Sequence, residues 1–175
     1  MKDQQNTLPQ PLLIELQSTA AHLVEVLAGI NELNFNNTPF EGKWSAAENT
    51  EHLRLSLSGS IQILKGPATA TNRAPDQNVN AIRNLFLDFN AKYPSAPSLI
   101  PEPKRYDKAI LIPEVATAFD QLIQISAQLD LTDTCTSFDF TGIGQLTRLE
   151  WVCVALYHAQ RHIHQLELIA KELLN

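Results

Sequence analysis

The sequence predicts an all-α fold: a four-helix bundle with a long proline-rich crossover between helices 2 and 3. Three observations predict it. Apolar residues recur at helical spacing through four long stretches, period-two alternation is almost absent, and Pro94, Pro97, Pro101 and Pro103 form a stiff extended run between the second stretch and the third. The chain has 175 residues, 44% of them hydrophobic and 18% charged. That is enough to bury a core without disulfide staples, and residues 1–175 read as one domain.

The first helix is predicted from Pro11 to Leu33, on Leu12, Leu13, Leu16, Ala20, Leu23, Val24 and Leu27, with Asn34 to Gly42 as the break. The second opens at Ser45, where Ser45-Ala46-Ala47-Glu48 has the form of a capping box, and runs to Lys65, where Gly66-Pro67 stops it. Residues 66–80 read as loop and Val79 to Phe89 as a shorter helix, followed by the proline run. A third long helix is expected from Ile112 to Leu129 with Pro113 in its first turn. Asp130 to Gln145 reads as irregular, punctuated by Gly142 and Gly144. The last helix opens on a second capping box, Thr147 to Glu150, and reaches Leu173.

A net charge of −6 with no basic cluster argues against nucleic-acid backbone binding. No stretch of about 18 apolar residues is evident, so no membrane span is expected, and the polar opening MKDQQNTLPQP carries no signal-peptide core. Cys135 and Cys153 read as reduced thiols, which points to the cytoplasm.

Chemistry is concentrated in three histidines. His158 and His162 stand four apart on the last helix and project from one face. With His158 at zero, Trp151 falls at about +20°, His162 at about +40° and Val154 at about −40°, so the pair shares the core-facing stripe. His164 points about 240° away, and Cys153 about 140°, so neither joins them. His52 lies on the second helix, and a third imidazole from a neighbouring helix would complete a three-histidine site with one open position. The spacing admits two readings. The histidines are core-edge side chains satisfied by hydrogen bonds, or they share a cation that relieves two close imidazoles of being charged together. HxxxH here is not HExxH, because Ala159 occupies the glutamate's place. Trp44 and Trp151 read as core anchors and His22 as structural.

The same segments carry a family resemblance. Lys43-Trp44-Ser45-Ala46-Ala47-Glu48-Asn49-Thr50-Glu51-His52-Leu53 resembles the kWs..E...HL opening of the second helix in the DinB-like superfamily. Gly144-Gln145-Leu146-Thr147-Arg148-Leu149-Glu150-Trp151, with His158 to Gln165 after it, resembles that family's closing G.lt..eW......H..RH..Q. Leu99-Ile100-Pro101 in the crossover is also similar. The resemblance implies a commonly dimeric four-helix bundle holding a divalent metal, zinc or nickel, through His52, His158 and His162. It also implies metal-dependent transfer of a low-molecular-weight thiol, or hydrolysis, as candidate activities.

Around those ligands, Glu48 either orients His52 or acts as a base, or it serves only the capping box. Gln165 either meets a ligand or braces two helices, and Arg161 either pairs with an anionic cofactor or substrate or forms an ordinary ion pair. The expected partners are a small-molecule ligand and a second copy of the chain, with no nucleic acid and no membrane. The other reading is a non-catalytic dimeric helical module that binds a metal or small ligand.

Overall fold

The computed structural model describes residues 8–173. In chain order the elements are α1 (Gln10–Gly29), α2 (Ala46–Lys65), β1 (Ala68–Thr69), α3 (Val79–Leu87), a 3₁₀ turn (Pro97–Leu99), α4 (Lys108–Ser126), β2 (Thr134–Phe140), β3 (Gly144–Thr147) and α5 (Arg148–Leu173). The described residues are mostly helical, with five helices and one small antiparallel sheet in the order β1-β2-β3. α2 packs on α4 and α5, α1 packs on the same two helices, and α3 lies along α5. Leu16 and Leu23 of α1, Leu53 and Leu57 of α2, Phe119 of α4 and Leu156 of α5 are buried in the core. Each such side chain contributes about 1.5–3 kcal/mol by leaving water.

Both capping boxes form. Ser45 Oγ accepts from Glu48 N at 3.2 Å while Glu48 Oε2 accepts from Ser45 N at 2.8 Å. At the head of α5, Thr147 Oγ1 accepts from Glu150 N at 3.1 Å and Glu150 Oε2 accepts from Thr147 N at 2.9 Å. α1 stops at Gly29, short of the expected Leu33. Beyond it Asn31 Oδ1 accepts from Leu33 N at 2.8 Å, a local turn that competes with the helix. α4 starts four residues before the expected Ile112 because Asp107 caps it, accepting from Ala109 N at 2.8 Å. Pro113 therefore sits inside the helix and not in its first turn.

The larger correction is the sheet. Residues 130–145 were expected to be irregular, yet β2 and β3 pair as a hairpin and β1 joins through Ala68 opposite Cys135. Thr134, Thr136, Phe138 and Phe140 alternate along β2, a β-favouring set. Cys135 is the only β2 residue that is buried, so the strand lacks the apolar stripe that would have marked it. Gly142 and Gly144 take φ of 83° and 95°, which the turn requires of them.

Glu51 of α2 is buried and holds Arg54 through two 2.7 Å bonds. One further expectation is revised. α1, with 20 residues and a mean hydropathy of 1.2, is by length and composition apolar enough to cross a membrane, contrary to the sequence reading. Leu16, Thr19, Leu23 and Leu27 give it a buried face against α4 and α5.

Candidate metal centre

α2 and α5 bring together the three histidines that the sequence singled out. His158 Nε2 lies 3.2 Å from His52 Nε2 and 2.9 Å from His162 Nε2. The candidate ligand atoms of all three fall within 4.8 Å of one another. Two nitrogens sharing a tetrahedral ion at about 2.0–2.1 Å stand about 3.3 Å apart, so the two spacings from His158 are close to those of ligands around one ion. His52 and His162 are buried and His158 is half-buried, the most exposed of the three.

Each ring also has a partner on its outer nitrogen. His52 Nδ1 lies 2.7 Å from the Leu99 carbonyl, His162 Nδ1 3.0 Å from Asn49 Oδ1, and His158 Nδ1 2.9 Å from Ser56 Oγ. A carbonyl only accepts, so His52 Nδ1 carries its proton and Nε2 presents a bare lone pair. Asn49 Nδ2 donates to Gln165 Oε1 at 3.0 Å, which turns Asn49 Oδ1 toward His162 and puts that ring in the same tautomer. His158 Nε2 thus faces two lone pairs and can carry at most one proton. A divalent cation would accept all three lone pairs, with each outer nitrogen fixed as such ligands require.

The electrostatics agree with neutral rings. Burial lowers all three pKa values: that of His158 falls to about 3, with the His52 and Arg161 charges adding to the effect. His162 drops well below the ordinary value for the same reasons, reinforced by His158. His52 is lowered by burial in spite of its bond to the Leu99 carbonyl. Neutral imidazole is the form that binds metal.

The remaining candidates fall as follows. Glu48 does not reach His52 as an orienting partner: its Oε2 is engaged by the Ser45 backbone and hydroxyl, and the Leu99 carbonyl takes His52 Nδ1. Gln165 braces the site through Asn49. Arg161 meets neither an acidic partner nor the histidine nitrogens in its hydrogen bonds. Its guanidinium donates to the carbonyls of Phe86 (3.1 Å), Asp88 (2.8 Å) and Ala91.

Trp44 is half-buried with its ring centroid 4.8 Å from that of His52, so it is a wall of the site and not a core anchor. Trp151 is buried, and its Nε1 is the one buried side-chain polar atom without a hydrogen-bond partner among the described residues. His164 stacks on Phe89 at 4.1 Å and His22 meets Glu167 at 3.2 Å, both away from the cluster. Burial pushes the Cys135 thiol up to about 11 and Cys153 up to about 12, so neither is a reactive thiolate near neutral pH.

Sequence reasoning missed Asn49, Ser56 and Phe86. A signal existed for the first two: Asn49 and Ser56 stand three before and four after His52, on its face of α2. Replacing Asn49 with Leu removes the acceptor that orients His162. We expect it to weaken zinc binding by about 10–100-fold with the helical circular dichroism unchanged, a loss that a competitive chelator titration would read. Unchanged affinity would show that Asn49 does not orient its ring.

A mostly helical protein whose two packed helices gather three neutral imidazoles around one point has a donor set compatible with a divalent metal ion. The family comparison agrees. The chain belongs to the DinB superfamily, whose family model matches residues 15–166, a span that includes all three histidines. No curated protein and no solved structure matches it.

Proposed function

We propose that the chain is a metal-dependent enzyme of the DinB four-helix-bundle type. α1, α2, α4 and α5 form the bundle, and residues 66–107, prolines included, form its crossover. His52, His158 and His162 hold Zn²⁺ or Ni²⁺ and leave a position open on the His158 side. The observation that carries this reading is the arrangement of six ring nitrogens: three Nε2 atoms converge while all three Nδ1 atoms are anchored outward.

The ion, when bound, lowers the pKa of a thiol or water in the open position and so supplies a nucleophile near neutral pH. This chain's residues do the rest. Leu99 and Asn49 keep the His52 and His162 protons on Nδ1, Ser56 would accept from His158 Nδ1 once an ion takes Nε2, and Gln165 steadies Asn49. Glu48 holds the start of α2, and with it the register of His52. A thiol in the open position would give its proton to solvent and its sulfur electron pair to an electrophilic carbon, whose leaving group would depart with the electrons of the broken bond. Water in the same place would give hydrolysis.

The proposed setting is cytoplasmic, as a homodimer acting on a small molecule, without nucleic-acid or membrane partners. Exposed Ile14 on α1 and Ile110 on α4 supply apolar surface for a second copy. Zinc- or nickel-loaded protein should consume a small alkylating electrophile faster than free thiol does, and the gain should vanish in His158→Ala. Stoichiometric metal with no turnover across glutathione, bacillithiol and mycothiol, and no hydrolysis, would instead support a non-catalytic helical module.

A further inference from the structure

The open side of the histidine cluster has a wall that the ligand geometry does not require. Phe86 of α3 stands with its ring centroid 5.2 Å from that of His158, the only half-exposed member of the cluster. Phe140 of β2 continues the wall, edge-on to Phe86 at 6.3 Å, and packs in turn on Trp151 at 5.8 Å. On the other flank Trp44 lies against His52. Phe86 and Trp44 thus place aromatic rings against His158 and His52, two members of the cluster.

What holds Phe86 there is Arg161. α3 is a nine-residue helix with no basic residue in its last turn, and its final carbonyls need donors. Arg161, on α5 between His158 and His162, supplies them from outside: it donates to the carbonyl of Phe86 itself and to those of Asp88 and Ala91 just beyond the helix. Its guanidinium also sits 5.6 Å from the Tyr93 ring centroid. Three carbonyls on one planar fork fix the backbone of this segment where a point charge such as Lys would not. One turn of α5 thus carries two of the three candidate ligand imidazoles together with the arginine that fixes the segment bearing Phe86.

We propose that Phe86 is the specificity-determining residue of the site and Arg161 its positioning residue, together selecting ligands with a flat, apolar body on a metal-binding head. This rests on the metal reading above and adds the class of molecule. An aryl group laid on Phe86 gains an aromatic pair that a short alkyl group of similar head chemistry cannot make.

The test uses Co²⁺-loaded protein titrated with 2-phenylethanethiol and with 1-propanethiol, two alkyl thiols of similar acidity. Binding is read by the sulfur-to-cobalt charge-transfer band, and cobalt affinity is measured separately. Wild type should prefer the phenyl-bearing thiol by about 10-fold, the upper size of one aromatic pair. Phe86→Ala and Arg161→Gln should each cut the preference to within about 3-fold while cobalt affinity stays within the same range. Arg161→Lys should not restore it. Equal binding of the two thiols by wild type, or a preference that survives Phe86→Ala, would overturn the specificity role. A preference retained in Arg161→Gln would overturn the positioning role. Failure of wild type to take up cobalt at all is a separate result that refutes the metal reading and this inference with it.

Discussion

Elemental analysis of wild-type protein and of His158→Ala should show near-stoichiometric zinc or nickel in the first and almost none in the second. His158 is the central donor: its Nε2 is within 3.2 Å of both other imidazoles, and without it His52 and His162 are two ligands with a gap between them. Sites built of four protein ligands bind zinc with about 10–16 kcal/mol, roughly 2.5–4 kcal/mol per ligand, so removing one should weaken binding by about 70–900-fold. Because His158 is half-buried and packs on α3, the variant should remain helical. Metal at 100 times its Kd should raise stability by about 2.7 kcal/mol, so the Tm shift on adding zinc should be present in wild type and lost in the variant. Metal-free wild type after reconstitution, or equal loading of both proteins, would refute the site.

The histidine set could be read from the sequence because helical periodicity converts spacing into direction. Four residues on α5 put His158 and His162 on one face, and the apolar stripe around them showed which way that face turns. The capping boxes at Ser45 and Thr147 were legible for the same reason: each is a local pattern within one turn.

What stayed hidden depends on pairs far apart in the chain. Leu99 lies 47 residues from the ring it anchors, and Arg161 lies 75 from the Phe86 carbonyl; no periodicity links them. Arg161 was expected to pair with an anion because its charge was visible, whereas its actual acceptors are backbone carbonyls, which every sequence has. The hairpin was missed for a different reason. β2 lies on the surface with one buried residue, so neither face writes an apolar stripe into the sequence.

Arg73→Ala should be among the most destabilising single changes in the molecule, by about 3–5 kcal/mol, although Arg73 touches no candidate ligand. Glu150 is fully buried at the head of α5, and Arg73 holds it with two bonds of 2.8 and 2.6 Å, one to each carboxylate oxygen. The same carboxylate accepts from Asn78 N at 2.7 Å, just before α3, and from Thr147 N, which closes the α5 cap. Removing the guanidinium leaves that charge buried with two backbone donors and no cation.

The pH dependence follows from the sign of the shift. Burial alone would raise the Glu150 pKa, but the bonds from Arg73, Thr147 and Asn78 outweigh it and hold the carboxyl below its ordinary value. A depressed pKa contributes stability above the unfolded value of about 4.3 and loses it as pH falls through the folded value. In Arg73→Ala burial is no longer outweighed by the ion pair, so the carboxyl should take up a proton at higher pH than in wild type and relieve its own penalty. The stability gap between the two proteins, from urea unfolding, should therefore be widest near neutrality and should narrow as pH drops toward 4. A gap that is small at pH 7, or constant across that range, would mean the pair contributes little beyond packing. Because Glu150 ties the start of α5 to the start of α3, the same substitution should loosen Phe86 relative to His158. The support of the site thus begins about two turns below it, at a carboxylate that carries no chemistry of its own.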